Sequence, residues 1–304
     1  MPRRAHTGPE GAWSGPAGGP LVQRSLAACR TVTALHPVGA VGSTQDVALE
    51  LATDGAPHGT VVVADRQLAG RGRHGRRWDD LPDGGTLALT LILDAERSDP
   101  SVLPLLPHAL GLAVVDAGRA VLASEGVPLL RLKWPNDVVV RSPERGGSDT
   151  ARKLAGVLVE REQVRAQAGA PSGPRDVLLC GVGIDVDLRG RGEAPDRTCL
   201  ATLATRAGTT PDRERLLAAV LTALDAALDA LEADPQALMA RYREVSDTLG
   251  RRVRVELPDG TVVEGTATAV ADDGRLEVTA DGRTHAILSG TVRDHTVRDQ
   301  EEQG

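Results

Sequence analysis

The segment Gly70–Arg77, written GRGRHGRR, places four arginines and three glycines in eight consecutive residues of a chain whose formal net charge is −7. Two guanidinium groups ~8 Å apart repel by roughly half a kcal/mol even at the dielectric constant of water, and each glycine adds an entropy cost on ordering. Such a run needs an anion. Three arrangements supply one: a disordered Arg/Gly tail on RNA, a solvated basic loop, or a folded phosphate cradle in which glycine amides form a nest and guanidinium forks meet oxyanions. Other residues with chemistry to offer are spread along the chain: the neutral hydrogen-bonding set Ser43, Thr44, Gln45 and Gln67, then Lys133, Asn136 and Asp137 in KWPND, and Lys153 in KLAG. Each has a plainer reading beside it. Ser43 can cap a helix, Pro135-Asn136-Asp137 can be a simple turn, and the lysines can face solvent from a strand.

The flanking elements decide against the tail. TVVVA (60–64) and TLALTLIL (86–93) are short apolar runs rich in strand formers, so the basic segment connects two strands inside a domain. Ser43 and Asp46 stand at the first and fourth positions of a capping box before VALELA, which predicts a helix start. A buried helix is predicted over 103–124, with Pro104 and Pro107 near its start, followed by strands over 129–134 and 138–140 about the Pro-Asn-Asp turn. Further strands are predicted over 153–160 and 177–186, separated by an Ala/Gly/Pro-rich loop at 166–174. Leucines at helical spacing place a helix over 211–234, continuing over 235–249. From Arg251 the pattern changes to short alternating strands divided by Pro-Asp-Gly, Asp-Asp-Gly and Asp-Gly turns, the pattern of a small SH3-like β-barrel.

Composition bounds the function. At 304 residues the chain suits one large domain and one small one, and its hydrophobic and charged fractions, 41% and 25%, are ordinary for a folded protein. The acidic balance argues against a general nucleic-acid or anionic-membrane binder, because the basic charge is local. Cys29, Cys180 and Cys199 have no CxxC spacing and are odd in number, so neither a zinc site nor a disulfide framework is indicated and a reducing compartment is expected. Residues 1–20, Gly/Pro-rich and poor in apolar side chains, are expected to be a disordered extension with no signal-peptide core; no membrane span is expected, and the location is read as cytoplasmic. The expected units are therefore the extension, a catalytic domain at 21–249, the small domain at 250–298, and a tail at 299–304.

Five segments in order, STQD (43–46), DRQLAGRGRHGRRW (65–78), KWPND (133–137), KLAGVLVE (153–160) and GVGIDV (181–186), resemble the catalytic domain of a biotin protein ligase, and with the small C-terminal domain the resemblance covers about 39–298. It implies an α+β fold of the biotin/lipoate ligase type, class II synthetase-like, with a mostly antiparallel sheet carrying helices. It also implies the reaction: biotin and ATP give biotinyl-5'-adenylate and pyrophosphate, and a lysine of a biotin carboxyl carrier domain, as of acetyl-CoA carboxylase, then takes the biotin. By the same resemblance Gly70, Arg71, Gly72 and Arg73 hold the biotin carboxylate and the adenylate phosphate. Ser43, Thr44, Gln45 and Gln67 suit the ureido group and carboxylate of biotin. Arg73 and Lys153 are the expected catalytic cations, Gly156 gives a ligand room to approach, and Lys133, Asn136 and Asp137 attend ATP and Mg²⁺, with Asp137 the metal ligand.

Three positions depart from the family pattern: His74 where another basic residue is usual, Asp185 where asparagine is usual, and Gln45 where asparagine is common. The first makes loop charge pH-dependent, and the second sets a carboxylate near expected phosphates. Trp134 is expected in the core; Trp78 either anchors the loop or walls the pocket. Cover for the adenine is expected within 196–203. The stretch before Ser43 is far short of a helix-turn-helix domain, so DNA binding and repression are not expected. A lipoate ligase-like acyltransferase, and a nucleic-acid-binding module, are the alternative readings.

Overall fold

A computed structural model describes residues 18–78, 84–122, 130–143, 149–165, 174–189, 194, 196–206 and 212–294. The expected extension up to residue 17, most of the 166–174 loop, and everything after 294 lie outside them. The chain begins with helix α1 (Pro20–Ala28), strand β1 (Ala34–Val41) and helix α2 (Thr44–Thr53). Strand β2 (Thr60–Gln67) leads into the short strands β3 (Gly70–Arg71) and β4 (Arg77–Trp78), and then β5 (Thr86–Asp94). Helix α3 (Leu106–Leu122) follows a single turn at Leu103–Leu105, before strands β6 (Leu130–Lys133), β7 (Asp137–Pro143), β8 (Asp149–Val164) and β9 (Arg175–Asp185). Helices α4 (Leu200–Arg206), α5 (Arg213–Ala233) and α6 (Pro235–Glu244) close the large domain, and β10 (Arg252–Glu256), β11 (Val262–Val270), β12 (Leu276–Ala280), β13 (Arg283–Ile287) and β14 (Thr291–Asp294) make the small one.

Seven strands form one sheet in the order β1-β2-β5-β9-β8-β7-β6, antiparallel at every step except β1–β2. Both faces are covered, which is why β5 reads as an unbroken apolar run: Leu87, Leu89, Leu91 and Leu93 join the core under α3 and α5, while Ile92 turns to α2 with Val62 and Leu179. The stretch Leu103–Leu122 is long and apolar enough to cross a membrane by length and composition, but most of it is buried here as the central core helix, in keeping with the buried helix expected there. The small domain is a five-stranded antiparallel sheet, β13-β12-β11-β10-β14, of the SH3-like barrel type.

Sequence patterning missed α1 and β1. Strand β1, ALHPVGAV, carries Pro37 and Gly39, residues that a strand tolerates at a sheet edge, and it pairs on one side only. The helix expected to run on to Leu249 stops at Glu244 instead. There Leu132 N–H donates to Val245 O at 2.9 Å and Asp247 N–H to Leu132 O at 2.7 Å, so the chain leaves the helix to pair with the other sheet edge. The predicted single helix over α5 and α6 also divides: Asp234 leaves helical geometry (φ −154°, ψ 85°), its side chain caps Ala237 N–H, and Pro235 opens α6.

Candidate functional site

A cleft of about 530 Å³ brings together Ser43, Thr44, Gln45, Gln67, Arg71, Gly72, Arg73, Lys133, Asn136, Asp137, Lys153 and Gly156. Its neutral end is rigid. Ser43 caps α2 by accepting from Gln45 N–H at 3.3 Å, and Gln67 Oε1 accepts from Thr44 N–H at 2.9 Å, Thr44 Oγ1 at 3.1 Å and Ser43 Oγ at 3.4 Å. Thr90 Oγ1 donates to Thr44 Oγ1 at 2.8 Å. The cap is only half of the expected box: Asp46 turns away to pair with Arg71. Gln45 lies flat on the sheet, its Nε2 donating to Leu158 O at 3.4 Å and Leu179 O at 3.3 Å. Its Oε1 is buried with no partner among the described residues. An unpaired buried carbonyl costs about 1–3 kcal/mol, so this oxygen is an acceptor with unused capacity in a residue that lines the cleft.

The basic segment is a folded hairpin. Gly70 and Arg71 pair with Trp78 and Arg77, and a Cβ on Gly70 would stand 2.7 Å from Trp78 O, so only glycine fits the crossing. His74 sits in left-handed backbone geometry (φ 56°) at the tip. Burial, then the neighbouring Arg73 and Arg76 charges, push its imidazole below the ordinary histidine range, which favours the neutral form. Gly72 does not serve as an open nest donor here: its N–H is taken by Arg76 O at 2.7 Å. The arginines divide. Arg71 is committed to carboxylates, Asp46 and Glu160 (2.9 Å to the latter), whereas Arg73 meets only neutral acceptors: Asn136 Oδ1 at 3.2 Å, Ser289 Oγ at 2.7 Å and Gly290 O at 3.4 Å. Burial is the largest influence on the Arg73 guanidinium and holds it below the ordinary arginine range, with the nearby Asp137 charge opposing the shift and Arg76 adding to it.

Lys153 Nζ pairs with Asp137 Oδ1 at 2.7 Å and stands 5.3 Å from the centre of the Trp78 ring. Asn136 is more than a turn residue: its Nδ2 donates to Val157 O at 2.7 Å and its backbone carbonyl accepts from Val157 N–H at 2.9 Å, fixing it to β8 beside Arg73. The room expected above Gly156 for a ligand is taken by protein. A Cβ there would meet Trp78 Cζ3 at 3.0 Å and Lys153 Nζ at 3.1 Å, and one at Gly183 would meet Trp78 Cε2 at 2.7 Å, so two glycines seat the indole on the sheet and Trp78 walls the cleft. Trp134 is core as expected, and its Nε1 also donates to Gly274 O of the small domain at 3.0 Å.

Asp185 is fully buried and paired with Arg197, whose Nη2 reaches Oδ1 at 2.7 Å and Nε reaches Oδ2 at 3.2 Å. The carboxylate that departed from the family pattern is thus neutralised within the protein, and the pair sets Arg197 5.8 Å from the Trp78 ring centre. No aromatic residue occurs over 196–203; Cys199, Leu200, Ala201 and Leu203 are buried, and Asp196 and Thr198 bond the backbone of Lys153. Arg197 is the residue of that stretch that approaches the indole. Sequence reasoning missed it, although an unusual buried acid at 185 was the signal to look for a partner cation. It also missed Asp46, Glu160 and the Ser289–Thr291 turn.

Residues 39–170 match the Biotin/lipoate A/B protein ligase family and 248–292 match the Biotin protein ligase C terminal domain. The chain is 38% identical to a biotin–[acetyl-CoA-carboxylase] ligase of Mycobacterium tuberculosis, over 85% of this chain and 88% of that one. It is 28% identical to the bifunctional ligase/repressor BirA of Escherichia coli, over 77% of this chain and 66% of that one. Among solved structures it resembles the biotin protein ligase of Aquifex aeolicus in complex with biotin and ATP (TM-score 0.66, 26% identity, 86% of this chain and 99% of that one). The ligase of Leishmania major in complex with biotinyl-5-AMP is also similar (TM-score 0.56, 25% identity, 86% and 98% covered).

Proposed function

The chain belongs to the biotin protein ligase family, and from that premise we propose how its cleft carries out the two half-reactions. The enzyme activates biotin with ATP and transfers it to protein: a biotin carboxylate oxygen attacks the α-phosphorus, pyrophosphate leaves, and a lysine amine then attacks the acyl carbon, losing a proton as AMP departs. The observation that carries the assignment of ends is the polarity of the cleft. One part is neutral and offers the unpartnered Gln45 Oε1, an acceptor suited to a ureido N–H, while another part holds Arg73 and Lys153. Arg73, with neutral partners only, keeps its charge for the carboxylate and then for the adenylate phosphate. Lys153, fixed by Asp137 beside Trp78, meets the negative charge that grows on the acyl and phosphoryl oxygens. Trp78, on its glycine seat and backed by Arg197, walls the cleft on the side we assign to the nucleotide, and Lys133 is a further cation of the cleft lining.

Magnesium fits this site as the counter-ion of ATP phosphates. Among the described residues no cluster of three ligating side chains occurs; Asp137, whose Oδ1 is held by Lys153, would be the protein carboxylate that meets the ion, which would supply charge neutralisation of the phosphates. The acceptor is the lysine of a biotin carboxyl carrier domain, reached from the side of the small domain, and the setting is the cytoplasm. The test is exchange of labelled pyrophosphate into ATP. Exchange that requires biotin, followed by labelling of a carrier domain, is the expected result; exchange supported by lipoate and not biotin would overturn it.

A further inference from the structure

Arg73 and the small domain are joined by more than proximity. Ser289 and Gly290, in the turn between β13 and β14, accept from Arg73 Nη2 and Nη1 at 2.7 and 3.4 Å, across 216 and 217 residues of chain. Beside them Arg76 Nη2 reaches Thr291 Oγ1 at 3.5 Å. The turn itself is seated firmly: Gly290 is buried, and a Cβ there would stand 2.8 Å from Val255 Cγ1. The small domain is in turn docked on the large one through Trp134 Nε1 to Gly274 O and Arg243 to Val270 O at 2.6 Å. A path of direct contacts thus runs from the large domain through the barrel and back to one guanidinium.

The acceptors on that guanidinium matter. A guanidinium has five N–H donors, and Asn136, Ser289 and Gly290 take three, leaving two. None of the three acceptors is charged, so they fix the direction of the fork without neutralising it. A loop tip with left-handed backbone at His74 and Gly75 does not hold a long side chain in place by itself.

We propose that Ser289 is a positioning residue of the ligase: its hydroxyl, carried by the small domain, aims the Arg73 fork into the cleft and so retains the adenylate between the two half-reactions. The inference rests on the reading of Gly70–Arg77 as the adenylate cradle. It assigns the barrel a task in the reaction, that of orienting the Arg73 fork, and it predicts that loss of one hydroxyl outside the cleft is felt as leakage of intermediate.

The test uses the full chain with Ser289→Ala, Ser289→Thr, Arg73→Ala and the double variant Arg73→Ala/Ser289→Ala. Biotinyl-adenylate is formed on the enzyme from biotin and ATP with pyrophosphatase, and its release is followed by chase, beside biotin labelling of a bystander protein. Ser289→Ala is expected to release adenylate about three- to tenfold faster, with formation of the adenylate much less affected, as for loss of one hydrogen bond to a charged group. Ser289→Thr, which keeps the hydroxyl, restores retention, and Ser289→Ala adds no leakage in the Arg73→Ala background. Leakage from Arg73→Ala with wild-type retention in Ser289→Ala overturns the positioning role alone; retention in both overturns the cradle as well. Extra leakage from Ser289→Ala in the Arg73→Ala background marks a general loosening of the barrel and also counts against the proposal.

Discussion

The two ends of the cleft are built on different principles. At the neutral end, Ser43, Thr44, Gln45 and Gln67 are all buried, sit on α2 and β2, and bond mostly to one another or to adjacent strands. At the cationic end, Arg73 rides on a hairpin tip and takes its orientation from Asn136 and from a separate domain. The first is a pre-formed pocket, in which the ligand replaces nothing but an unmet hydrogen bond. The second is an assembled one, whose charge is aimed by neutral groups and is completed by the ligand. The contrast teaches that changes at the two ends should separate: the neutral end sets affinity for the first substrate, and the cationic end sets rate and retention.

The largest break is expected at Lys153. Lys153→Ala removes the cation paired with Asp137 and should lower the rate of adenylate formation by about a hundred- to a thousandfold, with biotin affinity changed far less, by analogy with loss of one preorganised transition-state donor. Single-turnover measurement of pyrophosphate release, with biotin binding by calorimetry, checks both halves. Next is the Asp185–Arg197 pair behind Trp78. Arg197→Met takes the paired guanidinium away from a fully buried carboxylate and should cost about 3 kcal/mol of stability, whereas the double variant Arg197→Met/Asp185→Asn should recover most of it, as denaturant melts would show. Equal losses in the single and double variants would mean that the pair does not act as a unit.

A smaller effect sharpens the role of the docked barrel. His108 is buried against Gly274 of the small domain, and desolvation pushes its imidazole down to about 4 from an ordinary 6.5. The unfolded chain therefore takes up a proton near pH 6.5 that the folded chain refuses until about pH 4, so stability falls as pH drops through that window and levels off below it. Between pH 7 and 5 this one group should remove about 2 kcal/mol, and His108→Leu should lose that component relative to wild type. Melting curves at pH 7, 6 and 5 decide; parallel curves for the two proteins would contradict the assignment.

Legibility follows the same division. STQD announced both the helix start and the polar pocket, because a cap and its helix are local; Ser43 needs only Gln45 to declare itself. The seven-stranded sheet was largely readable from its apolar runs, except β1, whose Pro37 and Gly39 are permitted by the edge it occupies. The arginine-rich hairpin was visible as charge, but not the division of labour within it, since Arg71 finds Glu160 across 89 residues and Arg73 finds Ser289 across 216. Trp78 was undecided because its seat is made by two glycines on β8 and β9, which only the strand register brings together at Gly156 and Gly183. Arg197 was hidden for the same reason: its partner is twelve residues away in sequence, but the pairing depends on the register of residues 196–198 against Lys153.

The comparison itself is tested most directly by measuring, in one experiment, biotin affinity and adenylate release for Gln45→Leu and Arg73→Gly. The account predicts that Gln45→Leu weakens biotin binding about tenfold and, since the adenylate carries the same ring, speeds its release by no more than that factor. Arg73→Gly should bind biotin within a few-fold of wild type, yet release the adenylate about ten- to a hundredfold faster and label bystander lysines. If Arg73→Gly retains the adenylate as wild type does and Gln45→Leu does not weaken biotin, the assignment of the two ends is contradicted.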